Sequence, residues 1–344
     1  MHRCRSDPGA CMTVAGRIAA GDGGGLLGTC DGACLRVVVT GAAGRLACAV
    51  LPRLCADPRV ERVTGIDRAP MAFRHPKFDA VVADIAGAET RAQLAGASAL
   101  VNLAFVLLRG RRPLRAFHAS NVTATQALLA AAGDAGVGAI IHLSSAAVYG
   151  CGETLTEEAP YAPLPGFHYA AHKVAVDRWI AHQLPHAAVL RPVMILGPNA
   201  LPVLRQAMAA PCYVRLPDPQ PRLQCVHEDD VAQAVLLALG TRPDDPHVRP
   251  DGVFNLAAPG TFSLRELVRA RRPHAFGVSP ALARAFLDIA WLATGWGGER
   301  GWHRGIGCSL TLDCARAERV LGWRPRHAGW RDVIGLRRDG DEAR

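Results

Sequence analysis

The sequence predicts an α/β fold, a doubly wound parallel sheet with a smaller, mostly helical C-terminal lobe. Two observations predict the sheet. Short β-branched runs alternate with helical stretches as far as residue 195, and a glycine-rich turn joins the first strand to the first helix. A third observation predicts the lobe, because prolines and apolar helical stretches replace that alternation after residue 196.

The predicted strands are short apolar runs of the kind that parallel sheets bury. They are LRVVVT (35–40), VERVTGID (60–67), FDAVVAD (78–84), ASALVNLA (97–104), VGAIIHLSS (137–145) and HAAVLRP (186–192). Apolar spacing between the fourth and fifth strands predicts a long helix over residues 113–136 that ends at Gly136. A later run, GVFNLAA (252–258), predicts one more strand of the same sheet.

These elements divide the chain into three predicted parts. Residues 1–34 are rich in glycine and cysteine and have no periodic apolar face, so a disordered extension is expected there. Residues 35–195, with 226–258 returning to them, are expected to form the domain that contains the sheet. Residues 196–225 and 259–344 are expected to pack over the carboxyl ends of the strands as a substrate-binding lobe.

The charge and composition restrict the classes of partner. The net charge of +9 comes from arginines scattered along the chain, and the local clusters 109–115 and 269–272 lack interleaved aromatic residues. We therefore expect no nucleic-acid partner, and the basic surface is interpreted as attracting an anionic dinucleotide or substrate. Apolar runs stay well short of the length that crosses a bilayer, so no membrane span is predicted and the cytoplasm is the expected location.

The metal-binding residue types also give a negative prediction. The eleven cysteines contain no CxxC pair, which argues against a disulfide framework and a zinc site, and most are interpreted as free thiols. The run HEDD (227–230) is acidic, but consecutive side chains point in different directions. No metal site is therefore predicted.

The turn TGAAGRLA (40–47) follows a predicted strand and opens a predicted helix, which is the context of a dinucleotide-binding turn in a Rossmann-type domain. Gly41 allows the tight turn, and Gly44 lets backbone N–H groups approach a pyrophosphate at the helix N-terminus. The second strand ends at Asp67, whose carboxylate favours the ribose hydroxyls of NAD. Arg68 follows and could accept a 2′-phosphate, so NADP stays possible. Asp84 is placed either to meet the adenine edge or to cap a helix.

The segment YAAHK (169–173) places a phenol and an amine four residues apart on a predicted helix. Residues at that spacing share one helix face. A neighbouring ammonium favours the phenolate and lowers the pKa of the tyrosine. Tyr169 and Lys173 are therefore candidates for proton transfer.

Several motifs in one order resemble the extended short-chain dehydrogenase/reductases of the NAD-dependent epimerase/dehydratase family. They cover roughly residues 35–325 and are TGAAGRLA, NLA (102–104), NVTAT (121–125), LSSAAVYG (143–150), YAAHK, RPVMILGP (191–198), VHEDDVA (226–232) and LGWRP (321–325). The resemblance implies catalysis by Ser145, Tyr169 and Lys173, with Lys173 also holding the nicotinamide ribose. His172 lies between the last two and is expected to point off their helix face, so a structural part is predicted for it. The cofactor residues that it implies, together with those above, are Gly41, Ala43, Gly44, Arg45, Leu46, Asp67, Arg68, Asp84, Ile85, Leu103, Ala104, Asn121, Ser144, Tyr169, Lys173 and Pro192.

Departures from the family pattern bear on the reaction. Ala146 and Ala147 stand where family dehydratases carry acidic residues, so a 4,6-dehydratase is not expected. Met194 and Leu223 replace an asparagine and an arginine that often serve sugar nucleotides, although Arg222 is adjacent to Leu223. The expected function is NAD(P)-dependent hydride transfer at a secondary alcohol or ketone, by an epimerase or a dehydrogenase/reductase, with a sugar nucleotide as first candidate substrate. The alternatives are an apolar substrate, as in 3β-hydroxysteroid dehydrogenases or dihydroflavonol reductases, and a non-catalytic NAD(P)-sensing regulator. A homodimer is a further expectation.

Overall fold

The computed structural model of the chain describes residues 34–108, 110, 112–240, 249–294 and 300–336. Its strands are β1 Leu35–Thr40, β2 Val60–Asp67, β3 Phe78–Val82, β4 Ala99–Asn102, β5 Ala139–Leu143, β6 Gly152–Leu155, β7 Ala188–Pro192, β8 Met194–Leu196, β9 Cys212–Val214, β10 Cys225–His227, β11 Gly252–Leu256, β12 Phe276–Val278 and β13 Leu310–Leu312. Its α-helices are α1 Ala47–Ala56, α2 Ala88–Leu94, α3 Leu114–His118, α4 Ala124–Asp134, α5 His168–Gln183, α6 Pro202–Ala209, α7 Glu228–Ala238, α8 Leu264–Arg271, α9 Pro280–Thr294, α10 Arg300–Arg304 and α11 Trp330–Val333.

The central sheet has seven strands in the order β11-β7-β5-β4-β1-β2-β3, and every neighbouring pair is parallel. The chain builds outward from β1 to β3 in one direction and from β4 to β11 in the other. The strand order therefore reverses between β1 and β4, and ligands of open α/β sheets bind at the carboxyl edge beside such a reversal. The predicted doubly wound fold is confirmed.

Helices cover both faces of this sheet. On one face, α1 and α7 contribute Leu51, Leu54 and Val235 to a buried cluster with strands β1, β4 and β5. On the other, α4 and α5 contribute Leu128 and Ile180 to a second buried cluster. Burial on both sides explains why the strand sequences read as nearly continuous apolar runs rather than alternating ones.

The predicted helix over 113–136 is present as α3 and α4, joined without a break by a π-helical turn at Ala119–Thr123. Single π-turns of this kind are frequent at functional sites. Asn121 lies in the turn and is fully buried.

The C-terminal part contains helices α8 to α11, as predicted, together with short parallel strand pairs that the sequence did not indicate. The pairs are β10-β8, β12-β9 and β13-β6. Strands of three or four residues are too short to show a period of two, which is why the pattern missed them. The predicted domain boundaries stay predictions, and the expected disordered extension, apart from residue 34, lies outside the described residues.

Cys151 and Cys308 differ from the free thiols that the sequence suggested. They form a disulfide with Cα atoms 5.3 Å apart and a sequence separation of 157 residues. A pair so distant in sequence leaves no spacing signal. Within the described residues, no group of three potential metal ligands occurs, and no helix is long and apolar enough to cross a membrane.

Candidate active site

The glycine turn between β1 and α1 requires glycine at two positions. Gly41 has a φ of +75°, and a Cβ there would lie 2.6 Å from the backbone nitrogen of Ala104. A Cβ on Gly44 would lie 2.8 Å from the carbonyl oxygen of Gly41. The N–H of Gly41 donates to the Ile66 carbonyl at 2.9 Å, which fastens the turn to the end of β2. Backbone contact alone therefore excludes side chains here.

Asp67 ends β2 beside this turn. Its carboxylate accepts the N–H of Ala43 at 3.1 Å and the N–H of Ala69 at 3.0 Å. Each carboxylate oxygen has two lone pairs, so both oxygens keep a site for a ligand hydroxyl. Arg68 is exposed, with its guanidinium 3.8 Å from the Asp84 carboxylate.

Asp84 follows β3 and accepts the N–H of Ala86 at 2.9 Å. Gly87, not Asp84, occupies the N-cap position of α2. The helix-cap alternative for Asp84 is therefore wrong, and its carboxylate faces the same cavity as Asp67.

The turn, Asp67 and Asp84 border a cavity of about 360 Å³, which we call the glycine-loop cavity. It is lined by Gly41, Gly44, Asp67, Arg68, Asp84, Ile85, Leu103, Ala104, Phe105, Val106, Ala119, Ser120 and Ala124. The first eight of these are predicted cofactor residues. They come from the ends of β1, β2, β3 and β4, which meet because parallel strands end at one edge of the sheet.

Ala43 and Asn121 are predicted cofactor residues, but they line neither the glycine-loop cavity nor the neighbouring cavity around Tyr169. The N–H of Ala43 is bound to Asp67. The Asn121 side-chain amide holds the backbone of Val106, accepting its N–H at 2.8 Å and donating to its carbonyl at 2.8 Å. Each of the two therefore bonds to a residue that lines the glycine-loop cavity, Asp67 or Val106.

The three predicted catalytic residues meet at the carboxyl end of β5. Ser145 starts the 3₁₀ turn Ala146–Tyr149, and its hydroxyl accepts the N–H of Ala147 at 3.2 Å. Tyr169 and Lys173 lie one turn apart on α5, whose first half is rich in alanine, a strong helix former. His172, between them, is buried against the ring of Phe117 at 4.8 Å, in agreement with a structural part.

Ser145, Tyr169 and Lys173 line a second cavity, of about 450 Å³, which we call the tyrosine cavity. Of the predicted cofactor residues it also contains Arg45, Leu46, Leu103, Ser144 and Pro192. Leu103 and Phe105 line both cavities. The two cavities are therefore neighbours along the same sheet edge.

The pKa of Tyr169 differs from the sequence prediction. Burial raises it to about 12, and the hydroxyl of Ser145 opposes that rise. Lys173 does not contribute to this shift, because its ammonium is directed elsewhere. Its Nζ donates to the Leu143 carbonyl, lies 3.5 Å from the centre of the Phe105 ring and is 5.9 Å from that of Tyr169. In the protein alone, Tyr169 is therefore protonated at neutral pH.

Lys173 is 2% exposed, and burial lowers its pKa to about 7, while Asp177 acts in the opposite direction. Asp177 lies one helical turn after Lys173, and its carboxylate forms a buried ion pair with Arg191, with an N–O distance of 2.9 Å. Arg191 also donates to the hydroxyls of Tyr149 at 2.7 Å and Tyr161 at 2.6 Å. This buried network supports α5 below the catalytic face.

The network and Phe105 are site features that the sequence analysis missed. Tyr169, Lys173 and Asp177 recur every four residues, so the spacing could have added Asp177 to the face. Arg191 lies in the strand run HAAVLRP and in the motif RPVMILGP, and neither pattern indicates a buried ion pair. Phe105 contacts the Tyr169 ring edge-on at 5.6 Å between centres, and only the fold shows that it separates two cavities.

Solved structures share this architecture. "MoeE5 in complex with UDP-glucose and NAD" is 23% identical, covering 88% of this chain and 96% of that one with a TM-score of 0.66. UDP-glucose 4-epimerase with UDP-glucose from Thermotoga maritima is 18% identical, covering 88% and 98% with a TM-score of 0.66. DesIV, a dTDP-glucose 4,6-dehydratase from Streptomyces venezuelae with NAD and TYD bound, is 23% identical, covering 85% and 92% with a TM-score of 0.62. At these identities the likeness shows the fold.

No curated protein matches the chain. The model of the NAD dependent epimerase/dehydratase family matches residues 37–257, which is most of the chain and includes both cavities' motifs from the glycine turn to YAAHK. The chain therefore belongs to the NAD-dependent epimerase/dehydratase family.

Proposed function

We propose that this protein transfers a hydride between NAD and the carbon of a secondary alcohol or ketone. One observation carries the proposal. Ser145, Tyr169 and Lys173 line a single cavity, and that cavity adjoins the glycine-loop cavity at Leu103 and Phe105. A dinucleotide lying across the strand reversal would reach from the glycine turn to the catalytic tyrosine.

The residues present fit NAD. Glycine at positions 41 and 44 lets the turn lie close against neighbouring backbone, with no side chain between the turn and a ligand. Backbone N–H groups at the start of α1 suit a pyrophosphate. Asp67 keeps lone pairs for the ribose hydroxyls, and its charge disfavours a 2′-phosphate, which supports NAD over NADP. NAD, when bound, would accept or return the hydride and, in its oxidised form, add a positive charge.

The chain's own residues would move the proton. With a pKa near 12, Tyr169 holds its proton at neutral pH and can give it to the oxygen of a ketone during reduction. Ser145 would hydrogen-bond the same oxygen and fix its direction. In the reverse reaction Tyr169 must lose its proton, which a nearby positive charge favours. Lys173 would supply part of that charge after turning away from Leu143.

An epimerase or a dehydrogenase/reductase is better supported than a 4,6-dehydratase. Elimination of water needs a carboxyl group beside the reacting carbon, and the residues after Ser145 are Ala146 and Ala147. Among the described residues that line the tyrosine cavity, the carboxylate is Glu228, which Asn199 holds. One structural neighbour, DesIV, is a 4,6-dehydratase, so this preference rests on these side chains and not on the fold.

The substrate candidates are the two that the sequence suggests, a sugar nucleotide and an apolar alcohol or ketone. Two of the neighbouring structures contain UDP-glucose, which supports a sugar nucleotide. The apolar residues of the tyrosine cavity support the alternative, an apolar substrate. A regulator that only senses NAD(P) would not need the complete set of Ser145, Tyr169 and Lys173. The homodimer expected from the sequence stays a prediction and does not affect the choice between these functions.

The test measures NADH consumption with a panel of ketones, after calorimetry has established NAD binding. We expect turnover that depends on Tyr169 and on Ser145. NAD binding with equal turnover in wild type and in Tyr169→Phe would contradict the catalytic proposal.

A further inference from the structure

Much of the lining of the tyrosine cavity away from the catalytic residues is apolar, and we call these side chains the apolar wall. They come from β8, from α6 and its preceding turn, and from the segments before β10 and β13: Met194, Ile195, Leu201, Leu204, Leu223 and Ile306. The volume of about 450 Å³ lies in the range of small-molecule sites. A ligand in this space meets mostly hydrocarbon.

The polar side chains in the same wall already bind one another or the backbone. The Gln224 amide accepts the N–H of Leu312 at 2.7 Å and donates to the Ala258 carbonyl at 3.4 Å. The Glu228 carboxylate accepts the backbone N–H of Asn199 at 3.1 Å and its side-chain N–H at 2.8 Å. Each of these side-chain amides therefore already donates one hydrogen bond to a protein acceptor.

The distribution of charge in the cavity also favours an uncharged ligand. Among the described residues, the cations that line the cavity are Arg45, on the glycine turn, and Lys173, on the catalytic face. Arg222 precedes Leu223, but its guanidinium is engaged by Thr261 at 3.0 Å and by Glu266 at 2.8 Å. A diphosphate placed along the apolar wall would lose its hydration without a cation in return, and it would meet the Glu228 carboxylate.

We propose that the substrate is an uncharged, largely apolar secondary alcohol or ketone, whose hydrocarbon part lies against Met194, Leu204 and Leu223, and not a nucleoside-diphosphate sugar. The proposal rests on the proposed hydride transfer for its reacting group. The part of the proposal that concerns binding of the hydrocarbon to the apolar wall does not depend on any reaction.

The experiment compares two ligand classes on the NAD-loaded protein. Binding of neutral 2-alkanones of increasing length is measured by displacement of a neutral, environment-sensitive dye, and turnover by NADH consumption. Each added methylene should tighten binding about fourfold until the cavity is full, the factor that follows from burying one methylene. UDP and UDP-glucose should show no saturable binding in calorimetry at millimolar concentration.

Two variants test the place of binding. Leu204→Arg puts a cation into the wall and should weaken the longer alkanones at least about tenfold, because its charge replaces apolar contact. Leu282→Arg makes the same change on α9, where Leu282 is 62% exposed, and should leave alkanone binding unchanged. If Leu204→Arg fails to fold by circular dichroism, Met194→Ser supplies a neutral change in the same wall.

The outcomes separate the two proposals. Micromolar binding of UDP-glucose, or alkanone binding that does not depend on chain length, would overturn the apolar substrate. Length-dependent binding without any NADH consumption would keep the apolar site and contradict the hydride transfer. In Tyr169→Phe, alkanone binding should persist while turnover is lost.

Discussion

The two cavities at the carboxyl edge of the sheet are built in opposite ways. The glycine-loop cavity is formed mainly by residues at or just after the ends of β1 to β4, with further residues from the π-helical turn and α4. Its shape depends on backbone approach at Gly41 and on the carboxylates of Asp67 and Asp84. The tyrosine cavity is formed by a catalytic face on one side and by apolar side chains from sequentially distant segments on the other. The glycine-loop cavity is therefore defined by backbone geometry and two carboxylates, and the tyrosine cavity by the apolar side chains that line it.

This difference has a physical origin. Phosphate recognition by backbone N–H groups requires one local conformation, so it leaves a short, readable pattern of glycines. Apolar recognition requires only that hydrocarbon surfaces meet, so many residues and many spacings satisfy it. Variants that act on one cavity should therefore spare the other.

The largest expected effect concerns the catalytic face. Tyr169→Phe removes one hydroxyl and should reduce turnover by about 10²–10⁴-fold, the usual contribution of a general acid. NAD affinity by calorimetry should barely change, since the hydroxyl acts on the substrate oxygen. Lys173→Ala should weaken both NAD binding and turnover. Equal NAD affinity in wild type and Lys173→Ala would show that the ammonium does not serve the cofactor.

The next largest effect concerns the glycine turn. Gly41→Ala places a Cβ 2.6 Å from the Ala104 nitrogen, so the turn must move and NAD affinity should fall at least about tenfold. Gly136→Ala is the matched control, because Gly136 has a φ of +69° and no atom within 4 Å of the added Cβ. It should cost about 1 kcal/mol of stability and leave NAD affinity unchanged. Similar losses of NAD affinity in both variants would mean that general destabilisation, and not the contact at Gly41, lowers the affinity.

A smaller effect concerns the charge below the catalytic face. Burial lowers the pKa of Lys173 to about 7, and Asp177 opposes this shift, so Asp177→Asn should lower that pKa further. Lys173 would then be charged only at lower pH, and the limb of the pH–rate profile that requires the ammonium should move downward. Asp177→Glu keeps the charge and should restore the limb.

The loss of the Asp177 carboxylate also leaves Arg191 buried without its partner. The free energy of unfolding of Asp177→Asn should therefore fall by about 3–5 kcal/mol, measured by urea denaturation. Profiles must be taken well below its melting temperature. An unmoved limb in a folded Asp177→Asn would show that Asp177 is structural only.

The smallest effect concerns cofactor preference. Asp67→Ser removes the charge that disfavours a 2′-phosphate, while the exposed Arg68 remains, so the ratio of NAD to NADP affinity should fall by about tenfold. Alkanone binding in the other cavity should be unaffected. Tighter binding of NADP than NAD by the wild type would identify Arg68 as the residue that selects the cofactor.

Much of the glycine-loop cavity follows from sequence. Gly41, Gly44 and Asp67 follow β1 and β2 at spacings set by the strand–turn–helix unit, and parallel strands must end together. Eight predicted cofactor residues line that cavity for this reason. The face shared by Tyr169 and Lys173 is likewise a consequence of helical spacing.

The tertiary structure alone decided the rest. The direction of the Lys173 ammonium depends on Leu143, at the end of β5, and on Phe105, in the segment after β4. The predicted lowering of the Tyr169 pKa therefore did not follow from spacing. The Cys151–Cys308 bond joins segments that are 157 residues apart, and the apolar wall brings Ile306 together with Met194, Leu204 and Leu223. Sequence determines local geometry through backbone sterics and helical period, whereas burial and charge at a side chain depend on which distant segments the fold packs against it.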